Sequence, residues 1–147
     1  MNIKITKWLK FQIFGEILGN AIKSSISTIL TIGGFVVLFS VIISILTTSG
    51  IFDILSSTLL NFNISKETSN SLFAGILELT NGLKYAQKIP NLNLSLLLSS
   101  FLLGFGGLSV LLQVYSIIAK EGISIRPYIY GKFLQGLFSV FITFILI

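Results

Sequence analysis

Long apolar runs separated by short polar clusters dominate this chain. Residues 26–48 carry no charged side chain, which is enough for a helix crossing a bilayer at about 20 residues per span. Residues 92–119 form a longer apolar stretch, interrupted by Gly104, Gly106 and Gly107. Residues 128–147 form another, with Tyr128, Tyr130 and Lys132 at its start. Those residue types anchor a span at the membrane interface, and Pro127 suits the first turn of such a helix.

The shorter segments have other patterns. In residues 8–23, Phe11, Phe14, Leu18, Ala21 and Ile22 recur at helical spacing, and Gln12, Glu16, Asn20 and Lys23 share another face. With Trp8 and flanking lysines, residues 1–23 predict an amphipathic helix on the membrane surface. The basic start has the character of a signal n-region. The polar residues after it and the absence of a small-residue cleavage site predict that it is retained. Residues 51–62 are too short to cross and predict a half helix. Residues 68–86 predict a helix capped by Ser69 or Asn70 and weakened by Gly75 and Gly82 beside Glu78, since glycine costs a helix about 1 kcal/mol relative to alanine.

The glycine-interrupted stretch 92–119 admits two folds. One is a single long tilted helix with a weak point. The other is a re-entrant hairpin whose tip at 104–107 reverses the chain inside the membrane, which is possible only beside protein or water. Lys4, Lys7, Lys10 and Lys23 place the N-terminus in the cytoplasm. If 26–48 crosses out and the Glu78 segment crosses back, Lys84 and Lys88 are cytoplasmic. A hairpin then keeps Lys120 and Arg126 on that side too, so charge counting favours the hairpin. The fold class expected is an all-α polytopic membrane protein forming a single membrane domain, with an interfacial helix, spanning helices and a glycine-tipped re-entrant hairpin.

Composition supports this class. Of 147 residues, 53% are hydrophobic and 10% charged, against about 25% charged in soluble domains. The mean hydropathy is +0.95. The chain has no cysteine and no histidine, which excludes disulfides, thiolate nucleophiles, histidine proton relays and the common zinc sites. The net charge of +5 is spread over the edges of apolar runs. It forms no continuous basic face, so nucleic acid is not an expected partner.

The candidate chemistry is a carboxylate in apolar surroundings. Glu78 lies in Leu72-Phe-Ala-Gly-Ile-Leu-Glu78-Leu-Thr80-Asn81-Gly82, and an acidic side chain at membrane depth costs roughly 2.5–3.5 kcal/mol on insertion scales. A wet cavity, a polar ligand or a partner charge would offset that cost. Glu78, Thr80 and Asn81, with Ser109 and Gln113 beyond the glycines and open backbone at Gly104, Gly106 and Gly107, are the candidate solute or cation ligands. Broken helices build such sites in secondary transporters. The plain alternative is a structural contact from Glu78 to Asn81, Gln113 or a lysine. No catalytic set is present: serines lack a histidine base, and a Ser109–Lys120 dyad would be about 16 Å apart along one helix. No enzyme activity, metal or cofactor is expected.

Two segments carry a family resemblance. Gly75-Ile-Leu-Glu78-Leu-Thr80-Asn81-Gly82-Leu83 and, after it, Ser100-Phe-Leu-Leu-Gly104-Phe-Gly106-Gly107-Leu-Ser109-Val-Leu-Leu-Gln113-Val resemble the C-terminal half of the YlbJ-type sporulation integral membrane proteins. Those are grouped with the nucleoside-recognition, or Gate, domain proteins. Phe14-Gly15-Glu16 through Lys23-Ser-Ser-Ile26, followed by Gly33-Gly34-Phe35, is similar to that family as well. The resemblance implies a multi-pass cell-membrane protein related in design to concentrative nucleoside transporters, with re-entrant hairpins, and a role in forming the spore envelope and cortex. It implies two related halves, of which this chain supplies one. The expected partners are therefore the bilayer, a second half or second copy, and a small polar solute or cation. The expected function is half of a transporter for such a solute; the alternative is a non-transporting membrane scaffold for sporulation complexes.

Overall fold

The computed structural model describes residues 2–147, with the side chains of 13–147 except Lys120. All regular structure among the described residues is helical: α1 (Asn2–Thr48), α2 (Ile51–Leu60), α3 (Lys66–Leu77), α4 (Leu79–Ala86), α5 (Leu92–Phe105), α6 (Gly107–Ile118) and α7 (Arg126–Leu146), with a 3-10 turn at Ala119–Glu121. Among the described residues, three stretches are long and apolar enough to cross a membrane: Ile13–Thr48, Leu92–Ile118 and Arg126–Leu146. The chain is an all-α polytopic membrane protein.

The chain divides into two units, Met1–Gly34 and Phe35–Ile147. The described residues of the first are part of α1. The division expected between a surface helix ending at 23 and a span starting at 26 is absent, because α1 runs through both. No glycine or proline interrupts residues 20–32. The hydroxyls of Ser25, Thr28 and Thr31 donate to carbonyls four residues back at 2.8–2.9 Å, so these polar groups are satisfied within the helix. Ile17, Leu18, Ile22, Ile26, Ile29 and Leu30 are exposed. Trp8, Phe11 and Gln12, part of the expected amphipathic face, lie outside the described side chains.

The second unit is built around a helical hairpin. Ser65 caps α3, accepting from Thr68 N–H, so the helix starts earlier than the Ser69 or Asn70 cap expected from sequence. α3 ends at Glu78, which adopts extended geometry (φ −149°, ψ 125°), and α4 starts directly after it. The two arms pack side by side. The Ser71 hydroxyl donates to Gly82 O at 2.9 Å, and Gly82 sits so close to Gly75 that a Cβ there would collide with the Gly75 backbone. Leu102 of α5, fully buried, fills the space over both glycines. At 1.5 Å per residue, arms of 12 and 8 residues reach about 18 and 12 Å, near half of a hydrocarbon core of about 30 Å.

The remaining helices frame this hairpin. α2 packs on α3: Ser56 bonds Asn70 across 2.8 Å, and the Phe52 and Phe73 rings lie 6.4 Å apart. Ile43, Phe52 and Ala74 form a small core with Leu46, Phe73, Leu77 and Tyr85 against it. Asp53 and Lys66, both exposed, pair at 2.6 Å, and that hydrogen bond and charge raise the Lys66 ammonium above its ordinary pKa. α5 starts beside the hairpin base, where Ser95 donates to Ala86 O at 2.8 Å. α7 runs antiparallel to α5, with Ser100 and Thr143 hydroxyls 2.7 Å apart and Gly104 pressed on Gly136. Small residues let helices approach this closely in lipid, where packing and hydrogen bonds replace hydrophobic drive.

The reversal expected at 104–107 occurs instead at Glu78. Gly106 and Gly107 do take left-handed conformations (φ 87° and 80°), and they end α5 and start α6. Among the described residues α6 does not pack back along α5. Residues 92–118 are thus one broken stretch and not a hairpin, since two left-handed residues redirect a helix without giving its halves a shared face.

Candidate functional site

The two helix breaks lie against each other. A Cβ on Gly107 would fall 2.8 Å from Gly75 O and 3.4 Å from Ile76 O and Leu77 O, so the start of α6 abuts the carbonyl end of α3. These are the last carbonyls of a helix, the ones its own ladder leaves without donors. α6 has no side-chain cap at its start. A carbonyl-rich helix end and a set of amide donors therefore share one place in the unit.

Glu78 sits at the hairpin tip, 2% exposed. Its backbone N–H donates to Ala74 O at 2.7 Å and its carbonyl accepts from Gly82 N–H at 3.1 Å, closing α3 and opening α4. Its carboxylate caps α4. Oε1 accepts from Thr80 N–H at 3.0 Å. Oε2 accepts the Thr80 hydroxyl at 2.5 Å, Asn81 N–H at 2.9 Å and Asn81 Nδ2 at 2.8 Å. Acidic side chains suit this position because they meet orphan amides and the positive end of the helix dipole.

The structure brings Glu78, Thr80 and Asn81 together and adds Ser40, whose Oγ accepts from Asn81 Nδ2 at 2.9 Å. Ser40 appears in the sequence only as one small residue of an apolar run, and no local signal links it to a position 41 residues on. Ser109 and Gln113, both buried, bond one another, Nε2 donating to Oγ at 3.1 Å. They make no hydrogen bond to Glu78. Gly106 and Gly107 form the break itself. Gly104 belongs elsewhere: it faces α7, where a Cβ would lie 2.7 Å from Gly136 Cα and 2.9 Å from Gln135 O. Among the described residues no group of acidic side chains is placed to hold a metal ion.

The chain is 34% identical over 137 residues to the sporulation integral membrane protein YlbJ of Bacillus subtilis (strain 168), a similarity covering 90% of this chain and 34% of that protein. The chain thus spans about a third of the length of the curated relative it matches, less than the half that the resemblance of its motifs implies. No protein-family model matches the chain. No solved structure matches it.

Proposed function

We propose that this chain is a YlbJ-type, Gate-domain membrane protein acting in sporulation, in formation of the spore envelope and cortex, and that it forms part of a transporter for a small polar solute. The observation that carries the transport reading is the meeting of two broken helices, α3–α4 at Glu78 and α5–α6 at Gly106, with Gly107 against the carbonyls of Gly75, Ile76 and Leu77. Sites of this kind recognise solutes with helix ends: amide donors from one break, carbonyl acceptors from the other, at mid-depth. Thr80 and Asn81 supply side-chain polarity on one side, and Ser109 and Gln113 supply it on α6.

Glu78 holds this arrangement by capping α4. A glutamine at 78 keeps one accepting oxygen and puts an NH₂ where the other accepted, facing N–H and O–H donors. The remainder of the solute site comes from a second half of the fold or a second copy. Two features support that: α7 leaves Phe133, Phe138, Phe141 and Phe144 exposed, and the match covers only 34% of the similar protein. The N-terminus is cytoplasmic in this reading.

The test is flux in proteoliposomes of the full-length protein, with a panel of labelled nucleosides, amino acids and carboxylic acids. Glu78→Gln lowers the flux of the transported solute at least tenfold while the protein stays helical. Unchanged flux defeats the role assigned to the hairpin tip. One observation favours the scaffold reading instead: among the described residues, no atom lies within 4 Å of the place a Cβ would take on Gly33 or Gly34 of α1, which leaves a small-residue surface open to a partner helix. Loss of co-purifying partners in Gly34→Leu, with Glu78→Gln silent in every assay, would select it.

A further inference from the structure

A polar cleft runs from the hairpin tip along the seam of α1 and α4. On α1, Ser40, Ser44 and Thr47 follow helical spacing; on α4 and the turn after it, Asn81, Tyr85 and Lys88 do the same. The two rows run in parallel from the Asn81–Ser40 hydrogen bond of 2.9 Å. A cavity of about 210 Å³ is lined by the polar residues Ser40, Ser44, Thr47, Thr48, Asn81 and Tyr85, with Ile43 as its one aliphatic wall. A second, of about 190 Å³, is lined by Asn81, Lys84, Tyr85 and Lys88. Asn81 and Tyr85 border both.

Hydrogen-bond accounting separates these groups from ordinary polar residues in a span. Thr47 needs no water, because its hydroxyl donates to Ile43 O at 2.8 Å. Asn81 is different: its amide nitrogen bonds Glu78 and Ser40, but among the described residues no donor reaches its side-chain oxygen. The Tyr85 hydroxyl and the Lys84 ammonium have no hydrogen-bond partner among the described residues either. Lys88 lies 5.3 Å over the Tyr85 ring, a contact that leaves its N–H donors unbonded. Every buried side-chain polar atom in the described residues has a partner, so these unpartnered atoms are open to their surroundings. Lipid cannot satisfy them, and polar groups at membrane depth persist where they line water or protein.

We infer that the α1–α4 cleft is a water-filled vestibule that joins the Glu78 tip to the membrane surface on the Lys84 and Lys88 side, with Asn81 at its inner end. From Asn81 to Lys88 is about seven residues, or about 10 Å at helical rise, about two thirds of the roughly 15 Å from half-depth to the interface. Water in the vestibule completes the bonding of the Asn81 oxygen and the Tyr85 hydroxyl. The inference rests on the proposed solute site only for its purpose; the hydration itself follows from the unpartnered groups.

The absence of native cysteine makes accessibility a direct test. Single cysteines at Ser44, Thr47 and Lys88 are introduced into the full-length protein in sealed vesicles, with Leu38→Cys and Ile45→Cys as references on the exposed apolar face of α1. A charged, membrane-impermeant methanethiosulfonate is added to one side at a time. Ser44→Cys and Thr47→Cys react at least tenfold faster than the two references, from the same side as Lys88→Cys. Equal rates at Ser44 and Ile45, or reaction of Ser44→Cys only from the side opposite Lys88→Cys, overturn the vestibule. Serine and threonine to cysteine are nearly isosteric, and retained helicity checks folding. Reactive Ser44→Cys with unchanged flux in Glu78→Gln would leave the vestibule standing and remove the solute site; the reverse pattern would do the opposite.

Discussion

Gly106 and Gly107 are adjacent, share left-handed backbone (φ 87° and 80°), and differ in what lies beside them. An alanine at either position bears the cost of that conformation, about 1–2 kcal/mol. At 106 the new methyl meets Val110 Cβ at 3.4 Å and Lys132 Cε at 3.5 Å, ordinary contacts that add nothing. At 107 it meets Gly75 O at 2.8 Å, and backbone of a packed hairpin cannot swing aside as a lysine stem can. Overpacking of this kind costs about 1–3 kcal/mol more. Gly106→Ala is therefore expected to destabilise by about 1–2 kcal/mol and Gly107→Ala by about 2–5 kcal/mol. Reversible unfolding in mixed micelles, titrated with SDS and followed by far-ultraviolet circular dichroism, measures both. The difference between the two variants is the informative quantity, because the conformational cost cancels. Equal losses would mean that α6 does not begin against the end of α3, and the meeting of the two breaks would be wrong.

Two further substitutions test the packing that holds the breaks in place. Gly104→Ala presses a methyl onto Gly136 Cα and Gln135 O and is expected to destabilise by about 1–3 kcal/mol, whereas Gly131→Ala on the same α7, with nothing within 4 Å, stabilises by up to about 1 kcal/mol through helix propensity; the same SDS titration reads both, and a shared sign would refute the α5–α7 crossing. Ser71→Ala removes the bond to Gly82 O between the hairpin arms at a cost of about 0.5–1.5 kcal/mol, and faster amide hydrogen exchange confined to residues 66–86 is the accompanying signature.

The membrane class and the long apolar stretches are legible in the sequence because they depend on composition and length alone. The break at Glu78 is legible in part, since Gly75 and Gly82 flank it. Their role is not: in sequence they are weak points of one helix, yet in the fold they are the face on which two antiparallel arms touch. Only the reversal itself makes residues 75 and 82 neighbours. The glycines at 106 and 107 carry the stronger turn signal, and a left-handed glycine pair does break the helix there. Whether a break becomes a hairpin depends on whether the halves have surfaces that fit each other. α3 and α4 have Ser71, Gly75 and Gly82 for that purpose, while α5 spends Gly104 on α7. Charge counting treats the Glu78 segment as a crossing, whereas a hairpin there returns Lys84 and Lys88 to the end of the unit that holds Lys66. Ser40 is invisible because its partner lies 41 positions away.

The cap at Glu78 changes what a buried carboxylate implies. From sequence, the cost of an acidic group at depth calls for an outside ligand or charge. In the structure its two oxygens accept four hydrogen bonds from Thr80 and Asn81, and the positive end of α4 opposes its charge. The local chain thus offsets most of the cost, and the acid by itself no longer points to a solute. The neighbouring start of α6 has no such cap. A helix that begins inside a membrane leaves amide donors unpaired, each worth several kcal/mol in hydrocarbon if nothing meets them. The break at Glu78 carries a side-chain acceptor and the break at Gly106 does not. Under the proposed transport role, this asymmetry centres the solute site on the uncapped start of α6 at Gly107, Leu108 and Ser109, with the Glu78 cap beside it.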